Sequence, residues 1–206
     1  MAIRYSPPIV TNQPRRTFDF SGNHLVMDFT NTVNGRPTFT RDDLANADDI
    51  FAWAHAALLL HGDGQVNRSN DDGVQFAAAL TLRESLYGVF GPIANGGSPQ
   101  ADALSFVTHR AAQATRSAQW VSSGSSYEPQ WPACSLESVC DQLSDAAVLL
   151  LRSASVARVR SCAGCGWLFL DTSRANARRW CSMNVCGVRD KMRRYHQRRT
   201  NATRVP

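Results

Sequence analysis

A chain of 206 residues, 43% of them hydrophobic, can bury a real core, yet it holds no apolar run of the roughly 18 residues that a bilayer span needs. Its net charge of +5 conceals a split: from Arg152 onward thirteen Lys or Arg face two Asp, a net of +11, whereas residues 1 to 151 carry nine basic and fifteen acidic residues, a net of −6. A membrane protein is excluded on this reading, a polyanion is the expected partner of the C-terminal segment, and the N-terminus lacks the apolar centre of a signal peptide, so a soluble cytoplasmic protein is expected.

Residues 1 to 17, with Pro7, Pro8 and Pro14, read as an irregular arm. TFDFSGNHLVMDFTNTV then alternates around Ser21-Gly22-Asn23, the pattern of a β-hairpin whose second strand turns Leu25, Met27 and Phe29 to the core and Asp28 and Thr30 away. NGRP, 34 to 37, ends it as a turn. From Asp48 the period becomes helical, with Ile50, Trp53, Ala54, Ala57 and Leu58 on one stripe until Gly62 to Gly64 stop it. A second helix is expected from Asn70 or Asp71 through VQFAAALTLRESLYGVFGPIA. A third covers ADALSFVTHRAAQATRSA, with Leu104, Val107, Ala111 and Ala114 facing inward. YEPQW predicts a short strand, and SLESVCDQLSDAAVLLLRSAS a fourth helix capped by Ser135. A linker is expected near Ser153 to Arg160, where the charge changes sign. The larger unit, with its own apolar stripes, is expected to fold without the remainder, whose fifty or so residues need another source of stability.

That source is written in CAGCGWLFLDTSRANARRWCSMNVC, which holds four of the six cysteines. Cys162 and Cys165 form one close pair and Cys181 and Cys186 another, the spacing of a tetrahedral zinc site. A disulfide framework would suit an exported protein, and an iron–sulfur cluster also accepts four thiolates; both stand behind one structural Zn²⁺ per chain. Four cysteines fill the shell and leave no open position for catalysis. WLFLD is expected as one strand and RRWC as its returning partner, with a terminal helix after them: a knuckle, a hairpin and a helix, the treble-clef arrangement. Cys134 and Cys140 read as small apolar residues, and His24, His55, His61 and His109 as scattered.

On the terminal helix, expected over residues 186 to 199, Val188, Met192 and Tyr195 share a face predicted to pack on the hairpin. Arg189, Arg193 and His196 line one flank, and Lys191, Arg194 and Arg198 the other, with Arg199 completing the series. Arg174, Arg178 and Arg179 of the hairpin extend the patch toward nucleic-acid phosphates. In the larger unit Asp28, Asn31, Asn34 and Arg36, with Arg83 from LRES, are candidates for a small polar ligand. They are equally the residues that cap turns and form scaffold salt bridges, which is the preferred reading. No nucleophile–base pair, phosphate loop or paired acid is identifiable, so no enzyme is expected.

The cysteine-rich segment resembles the CGNR zinc finger, whose pattern couples C-x2-C, an LF-x-D-x-S/T-R hairpin and R-R-W-C-S-M before the naming tetrapeptide. Here that tetrapeptide reads Cys186-Gly187-Val188-Arg189, with Val in place of Asn. Upstream, GNHLVMDFTNTVNGR, DDLANADDIFAWA and LRESLYGVF resemble the ABATE domain that accompanies this finger in stress-induced transcription regulators. The resemblance spans roughly residues 18 to 199. It implies an α+β chain: a mixed helical ABATE-like regulatory or ligand-sensing domain with a small β-hairpin or sheet, 18 to 157, and a treble-clef zinc finger, 158 to 206. The expected function is transcription regulation by DNA binding through the finger, with a small-molecule effector or a homodimer formed by the larger domain. An RNA-binding or protein-interaction module using the same basic finger is the alternative.

Overall fold

A computed structural model describes residues 17–36, 40–60, 66–67, 70–131 and 134–202. The arm up to residue 16 and the helix stop at 62 to 64 lie outside them. The described residues are predominantly helical, with three two-stranded antiparallel sheets among them. α1 (Leu25–Thr30) leads to β1 (Val33–Asn34), which pairs with β2 (Arg41–Asp42). α2 (Ala47–Ala56) starts where Asn46 caps the Asp49 N–H at 3.2 Å, with Asp48 and Asp49 in its first turn, the end a helix dipole favours for carboxylates. α3 (Asp72–Ala94) and α4 (Ala101–Ser117) follow, and α5 (Leu136–Arg152) opens on a reciprocal cap between Ser135 and Ser138. α3, α4 and α5 pack on one another, with α1 set against α3 and α5. Trp53, Phe29, Phe90, Met27, Leu86 and Leu143 are fully buried between them, and the Phe29 and Trp53 rings lie 4.8 Å apart.

Three elements depart from the sequence reading. LVMDFT is α1, not a strand. His24 caps it through Nδ1, which accepts the Val26 N–H at 3.3 Å, and burial pushes that imidazole down to about 4, so the ring is neutral and free to accept. Because Val26 to Thr30 are all buried, Asp28 and Thr30 included, the short helix has no polar face, and alternation along it carried no information. Second, YEPQW falls largely within β4 (Ser126–Gln130), whose partner β3 (Gln119–Ser123) was not foreseen. The two join through a tight turn at Gly124, φ 62°.

The third departure bears on the site. The expected linker is a 3-10 turn (Ala154–Arg158) running into β5 (Val159–Ser161), and β5 is the partner of β6 (Leu168–Leu170). RRWC does not return as a strand. Fully buried Asp171 turns the chain instead, accepting the Ser173 N–H at 2.8 Å and the Arg178 N–H at 2.9 Å. Val159 and Leu168, both fully buried, belong to the main core. The junction is also hydrogen-bonded. Asn31 donates to the Leu168 carbonyl at 2.8 Å and accepts its N–H at 2.9 Å; the Leu170 N–H meets the Gly22 carbonyl at 2.8 Å; the Trp167 indole donates to the Val33 carbonyl at 3.2 Å. The cysteine-bearing segment therefore shares a core with the larger unit, which the sequence leads us to expect to fold on its own.

Candidate metal centre and basic helix

Cys162 follows β5 directly, and the chain doubles back at once: the Cys162 N–H donates to the Trp167 carbonyl at 2.7 Å and the Gly166 N–H to the Cys162 carbonyl at 2.9 Å. Gly166 permits this turn with φ 75°. A side chain at Gly164 would come within 3.1 Å of Cys186 Cβ. The second pair arrives after the Asp171 turn. Cys181 ends the loop, and Cys186 sits in a π turn (Met183–Gly187) that continues into α6 (Val188–Ala202). Phe169, Trp167 and Trp180 wall the cluster, and Cys162, Cys181 and Cys186 are buried while Cys165 is half-buried.

The four sulfurs lie within 4.8 Å of one another, with Cys165–Cys181 at 3.7 Å and Cys181–Cys186 at 3.8 Å. A zinc ion with Zn–S bonds of about 2.3 Å in a tetrahedron sets its sulfurs about 3.8 Å apart, so the donor set and its spacing fit one Zn²⁺. Hydrogen bonds from Cys165 and Cys181 hold Cys162 far below the usual thiol range, and those with Cys162 and Cys181 push Cys165 up. Outside the cluster Cys140 is a buried core residue, its thiol pushed up to about 12 by burial.

The arginines divide into two groups. Arg178 is half-buried and committed to the fold: its guanidinium donates to the Trp180 carbonyl at 3.0 Å, to the Cys181 carbonyl and to the Ser21 carbonyl at 3.4 Å, and lies over the Phe169 ring. It fastens the second cysteine loop to the junction. Arg174 and Arg179 are exposed, Arg179 stacking on Trp180, and so are Arg189 and every residue from Lys191 to Thr200, among them Arg193, Arg194, Arg198 and Arg199. Arg193 and Arg194 both reach back to Asp190 in the first turn. The apolar face of α6 is not packed on a hairpin as the sequence suggested. Val188, Met192 and Tyr195 are 50%, 49% and 52% exposed, and Met183 and Val185 before them are exposed as well. α6 is anchored through the π turn, while the space beneath the knuckle is taken by the cysteines and the aromatic wall.

Each of the five candidate ligand residues of the larger unit has a partner within the fold. Asn31 holds Leu168. Asn34 donates weakly to Asp43 at 3.4 Å. Arg36 grips Glu84 with two hydrogen bonds, 2.6 and 2.9 Å, and stacks on Tyr87. Arg83 grips Asp42 with two bonds of 2.7 Å and touches Glu84 at 3.0 Å. Burial would raise both carboxyls, but hydrogen bonds and charge from the two arginines outweigh it and hold Asp42 and Glu84 below the usual range. Arg83 alone of the five lines the groove of about 790 Å³ between α3 and α4, together with Asp42, Glu84, Leu80, Ala103 and Phe106. The sequence reading missed Glu84, although it stands beside Arg83 in LRES, and Asp42.

Asp28 accepts the Gly22 N–H at 2.8 Å through Oδ1, while its buried Oδ2 has no partner among the described residues. Burial pushes this carboxyl well above the usual range, against the Gly22 bond and with the Asp19 carboxylate adding to the rise. A raised folded pKa stabilises the fold fully below the unfolded value of about 3.9 and loses that contribution as pH climbs through the folded value. Asp28→Asn, which keeps the Oδ1 acceptor, is therefore expected to gain on the wild type between pH 5 and pH 8, by up to about 1.4 kcal/mol per pH unit below the folded pKa. Thermal melts at the two pH values measure it. A pH-independent difference would show that Asp28 ionises normally.

The chain matches two family models. ABATE, described as "Putative stress-induced transcription regulator", covers residues 23–157, and the CGNR zinc finger covers residues 158–199. No curated protein matches the chain. No described helix is long and apolar enough to cross a membrane.

Proposed function

The chain belongs to the ABATE family of stress-induced transcription regulators and carries its CGNR zinc finger, and from that premise we propose that it regulates transcription by binding duplex DNA through the basic surface of the finger. The observation that carries this reading is α6: a helix exposed from Lys191 to Thr200, bearing Arg189, Lys191, Arg193, Arg194, Arg198 and Arg199 against the single acid Asp190. A solvated surface helix would carry acids to balance those charges. This one is built to meet a polyanion. Arg174 and Arg179 extend the surface beside it, and Arg178 supports it from within. Zn²⁺, held by Cys162, Cys165, Cys181 and Cys186, is structural and fixes the π turn from which α6 projects.

The larger unit, residues 18 to 157, is the regulatory part in this proposal. It meets the finger at the Asn31–Leu168 contact, and an effector held in the α3–α4 groove, or a second chain bound to this unit, would act on the finger through that junction. The role is non-catalytic and cytoplasmic.

Neutralising a phosphate releases counterions, which gives a slope of log affinity against log salt of about −0.9 per contact on duplex DNA. The double change Arg193→Gln and Arg194→Gln is expected to reduce the magnitude of that slope by about two and to weaken all duplexes alike. Titrations with duplex DNA across a range of salt measure it. Salt-independent wild-type binding, or a double variant with unchanged affinity and slope, would remove α6 from the interface. Structured RNA competing better than duplex DNA would favour the RNA-binding alternative.

A further inference from the structure

An apolar stripe on so basic a helix has no use in a purely electrostatic contact with phosphates. At about 100° per residue, Val188, Met192, Tyr195 and Arg199 fall within one arc of about 60°. Arg189, Arg193 and His196 flank it on one side, Lys191, Arg194 and Arg198 on the other, and Asp190 and Gln197 occupy the back. The apolar line is thus the midline of the charged face, with cations disposed on either side of it. Among the described residues no other element covers it: Val188, Met192 and Tyr195 are each about half exposed.

Two parallel walls of negative charge with an apolar floor match this pattern, and the major groove of B-DNA supplies both. It is about 12 Å wide, close to the 10–12 Å diameter of a helix with its side chains, its rims are phosphate, and the thymine C5-methyl is the apolar group exposed on its floor. We infer that α6 enters the major groove along its Val188–Met192–Tyr195 stripe, that its two cationic flanks meet the two phosphate walls, and that the stripe contacts thymine methyls. From Val188 to Tyr195 the stripe is about 10 Å long, or about three base-pair steps. Arg199 stands on the same midline, stacked on Tyr195 at 5.8 Å from ring centre to guanidinium carbon. A cation continuing the stripe on its own midline, and the lack of any Leu, Phe or Trp from Val188 to Ala202, argue against burial of this face in an anionic bilayer. The deep, narrow major groove of A-form RNA would not admit the helix. This inference rests on the DNA-binding reading above and adds which face of the helix is read and by what chemistry.

The test compares two 24-base-pair duplexes of about the same charge, one of alternating dA and dT and one in which every dT is replaced by dU. The replacement removes the methyls and leaves the phosphates and hydrogen-bonding edges in place. The full-length, zinc-loaded chain is expected to bind the thymine duplex more tightly, by about four-fold for each methyl in contact, the equivalent of about one buried CH₂. Val188→Ala with Met192→Ala should bring the two affinities together while keeping the salt slope, since every cation remains. Met192→Leu should keep the preference, and thermal melts confirm that each variant is folded. Equal wild-type affinity for the two duplexes with a normal salt slope overturns the inference but leaves the DNA-binding reading standing, and so does a double variant that still prefers thymine. Failure to bind either duplex, or tighter binding to an RNA hairpin than to both, removes the DNA-binding reading itself and this inference with it.

Discussion

A chain ending at Ala157 is expected to lose its cooperative thermal transition. The truncation removes Val159 and Leu168, both fully buried in the main core, and burial of two such side chains is worth about 1.5–3 kcal/mol each. It also removes four hydrogen bonds at the junction, two made by Asn31 and one each by the Gly22 and Val33 carbonyls, worth about 0.5–1.5 kcal/mol net each because the cut opens these groups to water. The sum, on the order of 5–12 kcal/mol, is comparable with the whole stability of a typical domain, about 5–15 kcal/mol. Asn31→Ala in the full chain samples the same junction without shortening it. Losing both hydrogen bonds to the Leu168 backbone should cost about 2–4 kcal/mol. Circular-dichroism melts of the two proteins decide the matter. A truncated chain that unfolds cooperatively near the full-length midpoint would show that the shared core is dispensable, as the charge break after residue 151 had suggested.

The long helices were legible because each has one wet side and one dry side. α4 buries Val107, Ala111 and Ala114 along the predicted stripe, and α5 begins at its predicted cap, Ser135. The same logic fails on α1, where Asp28 and Thr30 are as buried as Met27 and Phe29, so that no period survives in the sequence. It fails again on α6, where an apolar stripe predicts a covering surface. Val188, Met192 and Tyr195 show that a stripe of this kind can equally face outward.

At the site, the ligand set was readable because metal geometry imposes local spacing, two short pairs that any chain must supply in sequence. What joins the pairs to the rest of the protein was not. β6 pairs with β5 across the knuckle rather than with the segment after it, and Asn31 meets Leu168 from 137 residues away, a distance over which no local pattern reports. Asn31 therefore read as a turn cap or a ligand contact when it serves as a backbone surrogate for the edge of β6. Nor does anything in RANARRW separate Arg178, which holds carbonyls at the junction, from Arg179, which faces solvent. The distinction arises only when Asp171 folds the loop back.

The shared core also sets what zinc removal should do. The wild-type chain is expected to hold one zinc, and Cys165→Ser to hold far less than one, because a hydroxyl replaces one of four thiolates in a shell already at tetrahedral spacing. Structural zinc contributes an apparent 10–16 kcal/mol at about pH 7 in isolated fingers, so no other single change to the finger should cost as much. In a finger tethered by a flexible linker that loss would stay local. Here Cys162 follows β5 without a break, β6 lies against Asn31 and Gly22, and Arg178 ties the Cys181 carbonyl to Ser21, so disorder at the knuckle reaches the main core. The melt of the whole chain, followed by far-ultraviolet dichroism of its helices, should therefore fall in Cys165→Ser and on chelation of the wild type. Zinc loss should be favoured by acid, since the thiolates must take up protons as the metal leaves. Metal analysis and melts on the same samples test both parts. Iron in the native protein, or full zinc occupancy in the variant, would overturn the ligand assignment; zinc loss with an unchanged dichroism transition would show that the finger unfolds alone and that the junction does not couple it to the larger unit.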